Sequence, residues 1–261
     1  MLLRPSDWSK YCSGRRQAPT IAAVSVRNHD QWPVLQDVSS HISPGETVAV
    51  IGATGSGKST LVTLASRLFD VSEGSIRVNG ADVRALPLDT LWSLTGLVPQ
   101  ESYLFSGPVA SNLRYGRAQA LDEDLWHALE IAQAKDFVQA PNGLQASVAQ
   151  GGTNFSGGQR QRLMIARALV RQPAIYLFDD SFSALDYATD ARLRAALARE
   201  AGRNAAILLV GQRINSLRHA DRLIVLEQGR GVGKGTHDEL MSSCATYREI
   251  ALSQRVGEDE R

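Results

Sequence analysis

The fold of this chain is decided by the stretch Gly52-Ala53-Thr54-Gly55-Ser56-Gly57-Lys58-Ser59-Thr60. It fits the pattern GxxxxGK followed by Ser or Thr, whose glycines let the backbone curl so that successive N–H groups point at one phosphate. The apolar run 46–51 predicts a strand before it, and the spacing of 59–68 predicts a helix after it. The dipole of that helix favours an anion at its N-terminus. The stretch therefore predicts a nucleotide phosphate loop, with Lys58 on the β- and γ-phosphates and Ser59 on Mg²⁺.

A pair of carboxylates follows a second apolar run. The run 174–178 predicts a buried strand, and Asp179 and Asp180 come directly at its end. In a fold with a phosphate loop, Asp179 would hold Mg²⁺ and Asp180 would face the water that attacks the γ-phosphate. Taken alone, Asp180 is equally well explained as a strand-end cap or turn residue.

The rest of the chain alternates short apolar runs with helix formers, which predicts an α/β fold with a mostly parallel sheet flanked by helices. Helix-forming segments interrupt this alternation between about 101 and 168, where we expect a helical subdomain. The domain prediction is a linker or arm at 1–20 and one domain at 21–261, with its core at 21–100 and 169–261. Further strands are predicted at 21–26, 76–78, 206–210 and 222–226, and helices at 122–134, 160–170 and 188–201.

Composition excludes several classes of protein. With 43% hydrophobic and 21% charged residues the chain has the make-up of a globular domain, and its net charge of +1 gives no electrostatic footprint for nucleic acid. Cys12 and Cys244 are far apart and the five histidines are scattered, which argues against a disulfide scaffold or a structural zinc site. No stretch approaches the about 20 apolar residues that cross a bilayer. If the protein acts in transport, we expect its membrane part elsewhere.

One further segment identifies a family resemblance. Phe155-Ser156-Gly157-Gly158-Gln159, continuing as Arg160-Gln161-Arg162, resembles the LSGGQ signature of ABC transporter ATPases. Ser183-Ala184-Leu185-Asp186 resembles the D-loop of that family, and Gln100 its Q-loop glutamine. The run Leu104-Phe105-Ser106-Gly107 is typical of the exporter branch. The resemblance covers roughly 21–253.

The resemblance implies a P-loop NTPase core with an antiparallel β part near the N-terminus and a helical signature subdomain. It implies ATP and Mg²⁺ as cofactors, with Ser59, Gln100 and Asp179 on the metal. Two such domains would pair head to tail, so that each ATP lies between the phosphate loop of one and the signature of the other. A transmembrane domain, fused or separate, would hold the chain at the cytoplasmic side of the cell membrane, with Gln100 near the coupling contact.

Two positions depart from the family pattern. Asp180 stands where the family has its catalytic glutamate, and Gln212 stands where it has its switch histidine. The carboxylate of Asp180 should fall about one ångström short of the attacking water, and such a misplacement costs on the order of 10²-fold in rate. Gln212 hydrogen-bonds but cannot carry the proton or charge of an imidazole.

These departures resemble the degenerate half of heterodimeric bacterial exporters. We therefore expect weak ATP hydrolysis at this chain's own site. We also expect pairing with a partner chain whose ATP site is competent for hydrolysis. The signature, with Phe155 replacing leucine, would complete that partner's site. Tolerated drift at Asp180 and Gln212 is the alternative explanation. Two other functions stay open: an ATP-binding module that does not hydrolyse, and an ABC ATPase without a transport role.

Two contacts of the family pattern are weakly marked. The aromatic that stacks on adenine aligns with Asn28, and His29 and Trp32 are nearby candidates. Trp32 is better explained as a local packing residue than as the adenine contact. Gln150 replaces the glutamate usual in a segment that touches the membrane domain.

Overall fold

The computed structural model describes residues 19–27, 33–140, 142–201 and 204–259. The predicted arm at 1–20 lies outside this part of the chain except for its last two residues, which already belong to the first strand. The strands are β1 Pro19–Arg27, β2 Pro33–His41, β3 Thr47–Gly52, β4 Glu73–Val78, β5 Ala81–Asp82, β6 Thr95–Val98, β7 Gly107–Pro108, β8 Ser147–Val148, β9 Ile175–Asp179, β10 Ala206–Gly211, β11 Arg222–Glu227 and β12 Arg230–Gly235. The helices are α1 Lys58–Ala65, α2 Leu88–Leu94, α3 Val109–Arg114, α4 Asp122–Ile131, α5 Lys135–Gln139, α6 Gly157–Val170, α7 Tyr187–Ala201, α8 Ile214–Leu217, α9 His237–Ser243 and α10 Ala245–Asp259.

The fold is built on one ten-stranded sheet in the order β5-β4-β1-β2-β12-β11-β3-β10-β9-β6. Its parallel part runs from β11 through β3, β10 and β9 to β6. Every residue of β9 and β10 is buried, because helices cover both faces of a parallel sheet. The predicted α/β fold is therefore confirmed.

Antiparallel pairing occurs at two places in the sheet. β1 pairs with β2 and β4 near the N-terminus, as the resemblance implied. β11 pairs with β12 near the C-terminus, a pairing that the sequence pattern did not predict. β12 has the sequence Arg230-Gly231-Val232-Gly233-Lys234-Gly235 and is largely exposed, so it lacks the apolar run that indicates a strand.

The sheet separates two hydrophobic clusters. Along β10, Ile207 and Leu209 belong to one cluster, while Leu208 and Val210 belong to the other. Successive side chains of a strand point to opposite faces, so this alternation places one cluster on each side of the sheet. The cluster containing Ile207 continues into the helices α3 to α7, which lie within or just beyond the segment predicted to be helical.

Two predicted helices end three residues early: α4 ends at Ile131 instead of 134, and α1 also falls short. α1 ends at Ala65, although the sequence pattern extended it to residue 68. The hydroxyl of Ser66 donates to the carbonyls of Val62 and Thr63, and Arg67 has a left-handed φ of 53°. Side-chain bonding to the backbone and a left-handed residue both end a helix. No helix in the described ranges is long and apolar enough to cross a membrane.

Candidate functional site

A cavity of about 400 Å³ lies at the carboxyl ends of the parallel strands β3, β9 and β10. The carboxyl ends of parallel strands meet at one edge of a sheet, which is where α/β proteins bind ligands. Side chains predicted from separate stretches of sequence converge there. The cavity is lined by Val34, Thr54, Gly55, Gly57, Lys58, Ser59, Thr60, Gln100, Asp179, Asp180, Val210 and Gln212.

The phosphate loop has the curled backbone that its glycines predict. Gly57 has a φ of +96°, and a Cβ there would lie 2.6 Å from Cδ2 of Leu35, so only glycine fits. Lys58 is 7% exposed, and its Nζ donates to the carbonyls of Gly52 and Ala53 at 2.8 Å each. Burial lowers the pKa of Lys58, opposed by the nearby Asp180. The loop thus holds a buried ammonium group at the cavity wall.

The helix that follows the loop presents its N-terminus to the same cavity. Ser59 and Thr60 in its first turn line the cavity. Among the described residues no side chain caps α1, and its first turn has no acidic residue. Its first N–H groups and the positive end of its dipole therefore suit an anionic ligand.

Asp179 ends β9 beside Ser59. It is 8% exposed and accepts a hydrogen bond of 2.9 Å from the Ser59 hydroxyl at Oδ1. Burial raises the pKa of Asp179, and the Ser59 hydrogen bond and Lys58 oppose that shift. The Ser59 hydroxyl, the Asp179 carboxylate and the amide of Gln100 in the same cavity are oxygen donors of the kind that suit Mg²⁺. In the described ranges, no group of three or more His, Cys, Asp or Glu residues is placed to hold a metal ion. A metal here would therefore also need the hydroxyl and amide oxygens.

Asp180 lies in a turn and at the cavity wall. Its backbone has a left-handed φ of 45°, and its carbonyl accepts from the Ser183 hydroxyl at 2.8 Å, so it opens a turn. Its side chain also lines the cavity, with Oδ1 3.7 Å from the position of a Cβ on Gly211. Burial and the charge of Asp179 raise the pKa of Asp180, while Lys58 lowers it.

Gln212 follows β10 and lies exposed at the cavity wall, in the position predicted for the switch residue. Val34 is a cavity residue that the sequence patterns did not mark. Gly229 has a φ of +79°, and a Cβ there would lie 2.3 Å from the Val34 carbonyl oxygen, so β2 approaches the β11–β12 turn closely. This approach fixes Val34 at the cavity. The adenine candidates Asn28, His29 and Trp32 lie outside the described residues.

The signature segment does not line this cavity. Ser156 caps α6: its hydroxyl accepts from the Gln159 N–H at 3.3 Å, while its own N–H donates to Oε1 of Gln159 at 2.9 Å. Ser156 and Gly157 are exposed, so this helix N-terminus is open to solvent. The ring of Phe155 meets that of Phe137 edge to face at 6.0 Å, which accommodates the aromatic residue in the leucine position.

The D-loop packs directly on the signature helix. A Cβ on Gly158 would lie 2.9 Å from the Ala184 carbonyl oxygen, and Gln161 accepts from the Ala184 N–H at 3.1 Å. Leu185 is buried in the core, while Asp186 caps α7 by accepting from the Thr189 N–H, a bond that lowers the pKa of Asp186. Signature and D-loop therefore form one surface.

Sequence comparisons place the chain among ATP-binding proteins of transporters. A family model described as "ABC transporter" matches residues 35–183. An uncharacterised ABC transporter ATP-binding protein of Mycobacterium tuberculosis is 56% identical over 227 residues, which are 86% of this chain and 39% of the relative. A multidrug efflux ATP-binding/permease protein of the same species is 44% identical over 219 residues, which are 84% of this chain and 18% of the relative. The chain thus spans two fifths or less of these two relatives.

A solved structure agrees with this result. A bacterial Atm1-family ABC exporter with ATP bound superposes with a TM-score of 0.87 at 32% identity, covering 92% of this chain and 42% of that one. The match leaves out less than a tenth of the chain, so the fold described above is shared almost from end to end. The chain belongs to the ABC transporter family.

Proposed function

We propose that this chain is the ATP-binding domain of an ABC exporter, which couples ATP binding and hydrolysis at a head-to-tail dimer interface to export through a membrane domain. One observation carries the proposal: a single cavity joins Lys58 and Ser59 of the phosphate loop with Asp179 after β9 and Gln212 after β10. A buried cation, a helix N-terminus and oxygen donors for a divalent metal are what a nucleotide triphosphate requires.

Each cavity residue has a distinct task in this proposal. Lys58 would exchange its carbonyl partners in the loop for the β- and γ-phosphate oxygens. Ser59, Asp179 and Gln100 would hold Mg²⁺, which supplies charge neutralisation at the phosphates when bound. Asp180 would hold the attacking water, and Gln212 would donate a hydrogen bond to the γ-phosphate.

The position of the signature supports head-to-tail pairing. Ser156 and Gly157 stand exposed at the N-terminus of a 14-residue helix and are not part of the cavity of their own chain. A hydroxyl and N–H groups at a helix N-terminus suit a phosphate, and in this proposal the phosphate is that of a partner's ATP. Because the D-loop packs on the same helix, Ser183 to Asp186 would join that interface.

Asp180 and Gln212 support weak hydrolysis at this chain's own site. The backbone of Asp180 is held in a turn, and its side chain is one methylene shorter than that of glutamate, so its carboxylate reaches less far into the cavity. Gln212 can donate a hydrogen bond to the γ-phosphate but cannot carry the proton or the charge of an imidazole. We therefore propose a heterodimer, in which the partner supplies the competent glutamate and histidine and this chain supplies the signature.

An aromatic patch made of Tyr103, Phe105 and Tyr115 supports docking of a membrane domain. These rings are exposed and contact one another at centroid distances of 5.4 and 4.8 Å, and the guanidinium of Arg167 lies 5.7 Å from the Phe105 ring. A groove of about 290 Å³ beside them is lined by Trp92 and Tyr115. Exposed aromatic groups next to a groove mark interaction sites.

The Gln150 segment adjoins this patch. The N–H of Gly151 donates to the Leu104 carbonyl at 2.8 Å, and a Cβ on Gly151 would lie 3.8 Å from Tyr103. In the proposal this face receives the membrane domain, which holds the chain at the cytoplasmic side of the cell membrane. Selection of the exported compound is then a task of the membrane domain.

The test is Mg²⁺-ATP turnover of the purified 261-residue chain at increasing protein concentration, with ATP binding measured in parallel. We expect ATP binding with negligible turnover, and a Lys58→Ala variant that binds ATP much more weakly. Turnover that rises faster than linearly with concentration would mean a competent homodimer and would overturn the weakly hydrolytic assignment. Failure to bind ATP would overturn the whole proposal.

A further inference from the structure

The side chain of Gln254, on the C-terminal helix α10, bonds to the backbone on both sides of Arg213. Its Nε2 donates to the Gln212 carbonyl at 2.6 Å, and its Oε1 accepts from the Ile214 N–H at 2.8 Å. One amide therefore brackets the segment 212–214, which joins β10 to the first residue of α8. Only this orientation of the amide satisfies both partners, since a carbonyl accepts and an N–H donates.

The position of Gln254 is fixed by the packing of its helix. Tyr247 and Ala251, four residues apart on α10, are buried in the core, and Gln254 lies one turn further along the same face. The hydroxyl of Tyr247 also bonds with Nδ1 of His237 at 2.7 Å. Gln254 thus lies on the helix face that packs into the core, and the fixed position of α10 lets its amide restrain the segment.

The bracketed segment reaches two parts of the proposed site. Gln212, at its start, lines the nucleotide cavity. Arg213, in its middle, donates through Nη1 to the Leu185 carbonyl of the D-loop at 3.2 Å. Ile214, at its end, is buried, so the core holds that end in addition to the bond from Gln254.

We propose that Gln254 is a positioning residue, which sets the backbone of Gln212 so that the Gln212 side chain is aimed at the γ-phosphate. The inference rests on the proposed function, because it needs ATP in the cavity. A positioning role of this kind predicts that changes at Gln254 affect ATP binding and not ADP binding. ADP lacks the γ-phosphate, so its binding does not depend on Gln212. A residue that only stabilises the fold would not distinguish ATP from ADP.

The experiment measures binding of ATP and of ADP to the 261-residue chain by calorimetry. Gln254→Leu keeps a side chain of similar size and removes both hydrogen bonds. We expect it to weaken ATP binding about three- to tenfold, the range that one neutral hydrogen bond contributes, and to change ADP binding less than about twofold. Ser253→Ala is the matched control, since the Ser253 hydroxyl bonds within its helix, to the Ile250 carbonyl at 2.9 Å, and should change neither.

A double-mutant cycle separates this inference from the proposed function. If Gln254 acts through Gln212, the ATP-specific loss of Gln254→Leu should vanish in a Gln212→Ala background. The inference alone would be overturned if Gln212→Ala weakened ATP binding and Gln254→Leu did not. It would also be overturned if Gln254→Leu weakened ATP and ADP binding equally. No ATP-specific effect of Gln212→Ala would overturn the assigned role of Gln212 and the inference with it. Should Gln254→Leu not fold, Gln254→Met, which is unbranched, neutral and of similar length and also removes both hydrogen bonds, carries the same test.

Discussion

Lengthening the carboxylate at position 180 should restore hydrolysis at this site. The change is Asp180→Glu, made with Gln212→His to restore the switch residue as well. Asp180 already lines the cavity, and the absence of a side chain on Gly211 beside its Oδ1 leaves space for a longer residue. The Ser183 hydroxyl donates to the backbone carbonyl of Asp180, a bond that does not depend on the length of the side chain at position 180.

The magnitude follows from the added bond. One further methylene extends the side chain by one C–C bond of about 1.5 Å, which advances the carboxylate by about 1 Å once the bond angle is counted. A misplacement of about 1 Å costs on the order of 10²-fold in rate. This corresponds to about 2.7 kcal/mol in the activation barrier. We therefore expect turnover per bound ATP to rise about 10²-fold.

The assay is steady-state phosphate release by the 261-residue chain with Mg²⁺-ATP, over a range of protein concentrations. The signature of a second copy would complete the site, so the rate should rise faster than linearly with protein concentration. Asp180→Asn with Gln212→His is the control, because it keeps the side-chain length and removes the base; it should show no gain. If the double variant Asp180→Glu with Gln212→His binds ATP with unchanged affinity and releases phosphate no faster, the reach argument is wrong.

Three further predictions concern single groups of the site. Lys58→Ala should weaken ATP binding by about 10- to 100-fold, the loss of a charge-assisted hydrogen bond, as titration calorimetry would show; a smaller loss contradicts its phosphate role. Gly158→Ala should lower the unfolding free energy by about 1–3 kcal/mol in urea titrations, because its Cβ would lie 2.9 Å from the Ala184 carbonyl oxygen. Gly157→Ala is the control and should not destabilise the fold, because its Cβ would lie 3.8 Å from the Ala184 Cβ. Asp180→Asn should raise the melting temperature of the ligand-free chain at neutral pH, since burial and the adjacent carboxylate raise the pKa of Asp180. A group whose pKa is raised in the folded state gives stability that is present at acid pH and lost as the pH rises through that pKa. The gain in melting temperature from Asp180→Asn should therefore vanish towards about pH 4, the ordinary range of an aspartate pKa. A gain that does not depend on pH would contradict a charge on Asp180 as its cause.

Much of the site is predictable because its residues directly follow apolar runs. The phosphate loop follows β3, Asp179 ends β9, and Gln212 follows β10, so the strand pattern alone brings them to one edge of the sheet. Their assembly in one cavity is a consequence of parallel pairing. The signature residues follow no such run, and only their resemblance to a family pattern indicated them.

The remaining features depend on contacts that leave no local pattern. Gln254 is a polar residue on a C-terminal helix, and its contact with Gln212 joins positions 42 residues apart. β12 has three glycines in six residues and is a strand because β11 and β2 pair with it on either side. Val34 reaches the cavity because the backbone of Gly229 lies against it. Tertiary contacts, not propensity, decide each of these.

The ionised forms of Lys58, Asp179 and Asp180 in the cavity are all disfavoured by folding. Burial lowers the pKa of Lys58 and raises the pKa of Asp179 and of Asp180, so each charge at neutral pH costs more in the folded chain than in water. Attraction between Lys58 and the two carboxylates offsets part of that cost without reversing any of the three shifts. Groups that oppose folding in this way are concentrated at functional sites. A divalent cation beside Asp179 and phosphate oxygens beside Lys58 would supply the missing opposite charges, so we expect the metal nucleotide to stabilise the folded chain by more than contacts with neutral loop atoms alone would. The unfavourable electrostatics of the ligand-free site would then favour a charged ligand over a neutral one.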